Sequence, residues 1–216
     1  QLIMFSSKSL KTIINIFYFY RDLGIFTQIF IIVRYLTCPW HRIINKIPSN
    51  TKILDFGCGH GLLGCLLLFH DASIDYYGFD HDRSKISEKI DLNLKCSDMM
   101  NNFKDIDFDY IVIVDVLYVV PTIEWSQIFD YKVLLSKNGN ILIKETVNSP
   151  KLKYYFCWFQ EYLSISIFSI TKGESPNIKS VNDHKIIFKN NNLIINEHYS
   201  IDKGYLWPSH LFLLKP

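Results

Sequence analysis

Two rhythms of apolar residues divide the chain. Over residues 5–47 the apolar positions come in helix-length blocks, "TIINIFYFY" and then "LGIFTQIFIIV", split by Arg21 and Asp22 and closed by Arg34. Pro39 in "TCPW" and Pro48 in "IPSN" stop helices, so two or three helical pieces are expected here. After Ser49–Asn50 short apolar runs alternate with amphipathic stretches. "KILDF" predicts strand one, followed by a helix over about Leu62–His70. "YYGFD" predicts strand two, ending at Asp80; "DRSKISEKI" a polar-faced helix; and "LNLKCSD" strand three, ending near Asp98. "FDYIVIVDVLY" is an almost unbroken apolar run with Asp115 close to its end. "TIEWSQIFDYKVLL" reads as helix, with "SKNGN" as its C-terminal stop, and "ILIKET" as strand five. "KLKYYFCWFQEYLSISIF" predicts a long aromatic helix and "NDHKIIFKN" a shorter one. "LIINEHYS" and "SHLFLLKP" close the chain as strands.

Continuous apolar strands alternating with helices predict an α/β fold, a parallel sheet covered on both faces. Only "IDKGYLWP" joins the last two strands, so the final strand should run antiparallel. The expected division is a helical segment over residues 1–48 and a ligand-binding domain over 49–216.

Composition narrows the classes. Of 216 residues, 49% are hydrophobic, which excludes a disordered chain. The formal net charge is only +2, without a long basic run, which argues against nucleic acid as the main partner. Five cysteines, Cys38, Cys58, Cys65, Cys96 and Cys157, form no C-x-x-C pair. A metal site or disulfide framework is therefore not expected, and a reducing, cytoplasmic setting is. The apolar blocks of residues 1–36 fall short of the roughly 18 residues a membrane span requires. No small-residue cleavage site follows them, so a signal peptide fits poorly. They read either as a lid over the site or as a peripheral membrane contact.

The chemistry concentrates at "KILDFGCGHGLLG". Ligands of an open parallel sheet sit at the carboxyl ends of the strands, beside strand one. Gly59, Gly61 and Gly64 satisfy G-x-G-x-x-G, and Asp80 lies 21 residues after Gly59, so a dinucleotide is one candidate. The other is S-adenosylmethionine (SAM), which carries an ammonium and a carboxylate at one end and no phosphate. Asp55 could meet the ammonium, while loop amides and the helix start meet the carboxylate. Beside a pyrophosphate, Asp55 would be repulsive.

"LDFGCGHG" resembles the first motif of the class I SAM-dependent methyltransferases. "GFD" with Asp80 resembles their ribose-binding acidic motif, and "CSDMM" with Asp98 the adenine-contacting motif. "FDYIVIVDVLYVV" resembles their fourth strand, and "LLSKNGNILIKE" the fifth-strand motif, with Asn138 in place of the usual Pro. The family often carries a glycine turn where this chain has "NNN" at 190–192. The resemblance covers about Thr51 to Pro216. It implies a Rossmann-like seven-stranded sheet, mostly parallel with an antiparallel last strand, and SAM held by Asp55, Gly57, Cys58, Gly59, Gly61, Asp80, His81, Asp98, Met99 and Asp115. A subgroup of small bacterial members shares "R-x-L-x-C-P", "KE" and "GY…P…H" segments, here Arg34–Pro39, Lys144–Glu145, and Gly204, Tyr205, Pro208 and His210.

Asp115, Glu145, Tyr205 and His210 are the candidates for substrate chemistry, with Glu145 or His210 as general base. Asp115 and Glu145 end strands four and five, where the acceptor should lie. Tyr155, Trp158, Phe159 and Tyr162 fall at helical spacing, as core or as a wall for a hydrophobic substrate. The expected activity is methyl transfer to a small hydrophobic or lipid-like acceptor, at oxygen. A nicotinamide-dependent oxidoreductase and a non-catalytic SAM-fold scaffold are the alternatives.

Overall fold

The short apolar runs build a seven-stranded sheet in a computed structural model that describes residues 7–86, 94–155 and 177–216. Its strands are β1 (Lys52–Phe56), β2 (Asp75–Phe79), β3 (Cys96–Ser97), β4 (Phe108–Val114), β5 (Leu135–Thr146), β6 (Ile194–Ser200) and β7 (Ser209–Lys215). Their order is β3-β2-β1-β4-β5-β7-β6. The first five run parallel, and β7 pairs antiparallel with both β5 and β6. The sheet is the expected one, including its reversed last strand.

Alternation along each strand sorts the core into two layers. Ile53, Val112 and Leu142 join one buried cluster, while Leu54, Ile111, Ile113, Ile141 and Ile143 join the other. The N-terminal region forms three helices, α1 (Ser7–Phe19), α2 (Ile25–Thr37) and α3 (Trp40–Ile44), with Pro39 at the entry of α3. Ile16, Tyr20, Ile31 and Ile43 are buried in the first cluster with Leu63 and Leu66 of α4 (Leu62–His70). The other cluster takes Trp125 and Phe129 of α5 (Trp125–Asp130) and Phe188 of α6 (Val181–Asn190).

Two sequence expectations change. Of the strand expected over "LNLKCSD", the described residues 94–98 hold only Cys96–Ser97, because Lys95 adopts a left-handed conformation (φ 47°) that separates Leu94 from the ladder. "SKNGN" is not a helix stop but part of β5. A 3-10 turn, Tyr131–Leu134, ends the preceding helix, and the ladder absorbs the extra residues where Phe108 faces Leu135 and Tyr110 faces Asn140. Of "DRSKISEKI", the described part holds the 3-10 turn Arg83–Lys85, capped by Asp82 accepting from the Ser84 amide at 3.2 Å, and residues 87–90 lie outside the described residues. Of the aromatic stretch, residues 151–155 are helical and Tyr155 is exposed; Trp158, Phe159 and Tyr162 lie outside the described residues, as does Cys157. Asn192 supplies the turn after α6 with φ 57°, a conformation asparagine tolerates better than most side chains.

Candidate functional site

A cleft of about 710 Å³ opens at the carboxyl ends of β1, β2 and β4, where the strand order reverses. The loop leaving β1 forms its floor. Gly57 has φ +78°, and a Cβ there would lie 2.5 Å from Val116 Cγ2, so both backbone and space require glycine. The Gly57 and Cys58 amides donate to the Phe79 carbonyl at 2.7 and 2.9 Å, which ties the loop to the end of β2.

Asp80 fixes the other side of the same turn. Its Oδ2 accepts from the Gly59 amide at 2.8 Å and its Oδ1 from the Asp82 amide at 2.9 Å. Buried yet lining the cleft, it is braced by the backbone and still has lone pairs to offer. His81 lines the cleft with its side chain largely exposed, 3.7 Å from Asp80. His60 also lines the cleft; its Nδ1 lies 3.0 Å from the Lys85 carbonyl, and burial lowers its pKa.

Asp55 ends β1 beneath the loop. It is buried, lines the cleft, and accepts one hydrogen bond, from the Tyr76 hydroxyl at 2.7 Å. Burial pushes its carboxyl up to about 7. A buried acid answered by one neutral donor is a ready partner for a cation. Gly64 of α4 completes this corner, because a Cβ there would lie 2.6 Å from the Tyr76 ring. Cys58 lines the cleft, but its thiol packs at Gly78, and its hydrogen bond with Cys96 and its burial push its pKa up, so it is not an activated nucleophile.

The far wall is charged. Asp115 follows β4 with φ 56° and takes Lys144 on both oxygens, Thr146 Oγ1 at 3.1 Å and Arg34 Nη2 at 3.2 Å. Burial works against its charge, but Lys144 and Arg34 outweigh that and hold its pKa down. Trp207, from the loop before β7, lies under both cations, with Arg34 Cζ 5.5 Å and Lys144 Nζ 6.0 Å from its ring. Cys38 is buried beside the same charges, its thiol pushed up to about 12 chiefly by burial. The "R-x-L-x-C-P", "KE" and "GY…P…H" segments thus meet at Asp115.

The remaining candidates lie elsewhere. Glu145 points away from the cleft, as alternation after Lys144 requires, and its Oε1 accepts the Val116 and Leu117 amides at 3.0 and 2.8 Å. Burial, then the Asp115 charge, push its carboxyl up to about 8. His210 turns to β6, where its Nδ1 lies 2.9 Å from His198 Nε2 and the rings stack. Tyr205 stacks on His41 of α3. Asp98 and Met99 are exposed and do not line the cleft, because β3 ends at Ser97. Among the described residues no group of three His, Cys, Asp or Glu could hold a metal ion.

Sequence reasoning assigned no role to Arg34, Lys144 or Trp207. Two cations in otherwise apolar segments were the available signal, since each demanded a buried partner.

Residues 39–141 match the family model described as methionine biosynthesis protein MetW. No curated protein matches the sequence. Among solved structures, magnesium protoporphyrin IX methyltransferase from Synechocystis PCC 6803, with bound S-adenosylhomocysteine, is 18% identical. That match covers 98% of this chain and 96% of the other, with a TM-score of 0.58. The PH0226 protein from Pyrococcus horikoshii OT3 is 17% identical over 85% of this chain and 90% of its own, with a TM-score of 0.60. The cyclopropane synthase MmaA2 from Mycobacterium tuberculosis is 10% identical over 81% and 82%, also at 0.60. The strand order, the glycine loop after β1 and these likenesses agree on the fold: the chain has the Rossmann-like, seven-stranded architecture of the methyltransferases it resembles.

Proposed function

We propose that the chain is a SAM-dependent methyltransferase acting on a small apolar or lipid-like acceptor at oxygen, in a reducing, cytoplasmic setting. The observation that carries the reading is Asp55, a buried carboxylate under the glycine loop that, among the described residues, meets one neutral hydrogen-bond donor, the Tyr76 hydroxyl. It suits the ammonium of an amino-acid moiety and opposes a pyrophosphate. Asp80 would accept from ribose hydroxyls, and the backbone of Gly57–Gly61 would cradle the amino-acid end. The cofactor would supply an electrophilic methyl group. Phe30, Ile31, Trp40 and Val119 line the cleft with apolar surface for the acceptor.

In this reading the protein contributes positioning. Holding a nucleophile near contact with the methyl group removes most of the entropic barrier. Glu145 and His210, the bases expected from sequence, are engaged elsewhere, by backbone amides and by His198. Neither is proposed as the base. The test is calorimetry with SAM, S-adenosylhomocysteine and NADH, followed by mass spectrometry of the protein as purified. Binding of the first two alone supports the reading; tight NADH binding without SAM binding overturns it. Bound SAM with no transfer to any acceptor would favour a scaffold.

A further inference from the structure

Helices α1 and α2 carry apolar residues on the face they turn to solvent. In α1 these are Leu10, Ile14, Phe17 and Tyr18, spaced so that they form one stripe; in α2 they are Ile25, Phe26, Ile29 and Val33. Their exposure is high: 77% for Phe26, 64% for Tyr18 and 59% for Ile14. The opposite faces are already buried in the protein through Ile16, Tyr20 and Ile31. A surface helix ordinarily turns a polar face outward. Here two packed neighbours do the reverse, and patches of this kind mark interaction sites.

The charge pattern selects the partner. Neither helix contains an acidic residue. Lys11 borders the stripe on α1, and Arg21, in the turn between the helices, stacks on Tyr18 at 4.3 Å. The acid of that turn, Asp22, pairs with Arg21 at 3.7 Å. Aliphatic and aromatic side chains edged by cations are the composition of a helix lying in an anionic membrane interface. Each described helix has 13 residues, about 20 Å against a hydrocarbon core of about 30 Å, and among the described residues no helix is long and apolar enough to cross. The cleft adjoins this face, because Phe30, Ile31 and Arg34 of α2 line it.

We infer that the outer face of α1 and α2 is a docking surface for an anionic lipid bilayer. The inference stands apart from the chemistry of the cleft and does not require methyl transfer. The full chain is sedimented with vesicles of equal parts phosphatidylglycerol and phosphatidylcholine, and with pure phosphatidylcholine vesicles. Binding to the anionic vesicles that weakens with salt is expected. The triple variant Ile14→Ser, Phe17→Ser, Phe26→Ser should lose about 100-fold or more of that binding while keeping its melting temperature. Should the triple variant fail to fold, Lys11→Glu with Arg21→Glu decides the matter through a clear drop on anionic vesicles alone. Absence of binding by the folded parent overturns the inference. So does binding unchanged in the folded variants, or a dimer without vesicles that the triple variant turns into a monomer.

Discussion

Lys144 Nζ lies 2.6 Å from Oδ1 and 2.5 Å from Oδ2 of Asp115, with both side chains wholly removed from water. Removing one partner of such a pair strands the other as a bare buried charge. Asp115→Asn keeps the size of the side chain and tolerates the positive φ, so it isolates the charge. It should cost about 3–5 kcal/mol in denaturant unfolding. Lys144→Met together with Asp115→Asn should cost less than Asp115→Asn alone, since the wholly buried ammonium is then gone and the cation that loses an anion is the partly exposed Arg34. A double variant as damaged as the sum of the singles would show that the pair acts through packing alone.

Asp80→Ala should raise the dissociation constant for SAM by about 10- to 100-fold, from losing a charged acceptor worth about 1.5–3 kcal/mol. Because Asp80 also accepts the Gly59 and Asp82 amides, amide exchange in the loop should rise in the same variant. Calorimetry reads the first effect and hydrogen exchange the second. An unchanged dissociation constant would remove Asp80 from the binding site.

Asp55 gives ligand binding a pH dependence. Its carboxyl is held up to about 7, so in the free protein it is substantially protonated near neutrality. An ammonium at this position needs the ionised form and expels the proton. SAM affinity should therefore rise as pH rises through about 7, with protons released on binding. Calorimetry in buffers of different ionisation enthalpy measures that release. Asp55→Asn should abolish it.

Glu145 should make the protein less stable in base. The folded chain keeps its proton up to about 8, whereas the ordinary value for a glutamate is 4.5. Its contribution is complete below the lower value and is lost as pH rises through the higher one. Melting temperature measured from pH 5 to pH 9 should fall less steeply in Glu145→Gln than in the parent. Equal slopes would show that Glu145 does not titrate in this window.

The sheet was legible because its information is local. "KILDF" and "FDYIVIV" are apolar on both faces, as only a doubly covered strand can be, and "IDKGYLWP" is too short for a crossover. The glycine loop was legible for the same reason. The charged wall was not, because its members come from α2, the end of β4, β5 and the loop before β7, and their meeting is a tertiary fact. Lys144 and Glu145 are neighbours on one strand and so face opposite ways; which of them meets Asp115 depended on where Asp115 lay. Tyr205 drew notice and Trp207 did not, although the buried indole is the one that lies against Arg34 and Lys144. The helix stop read into "SKNGN" failed because Gly139 fits closely against Phe108, where a Cβ would lie 3.0 Å from the backbone oxygen, and lets the strand continue.

The contact between Gly64 and Tyr76 implies a pattern of descent. With only 2.6 Å between the Tyr76 ring and the place a Cβ would occupy at residue 64, the two positions cannot drift independently. A relative with alanine at position 64 should carry something smaller than tyrosine at 76. Having lost that hydroxyl, it should either bring another donor to Asp55 or replace the acid. Substitutions at 55, 64 and 76 should therefore be inherited as a set, and an alignment in which they vary freely would show that the corner is assembled differently elsewhere.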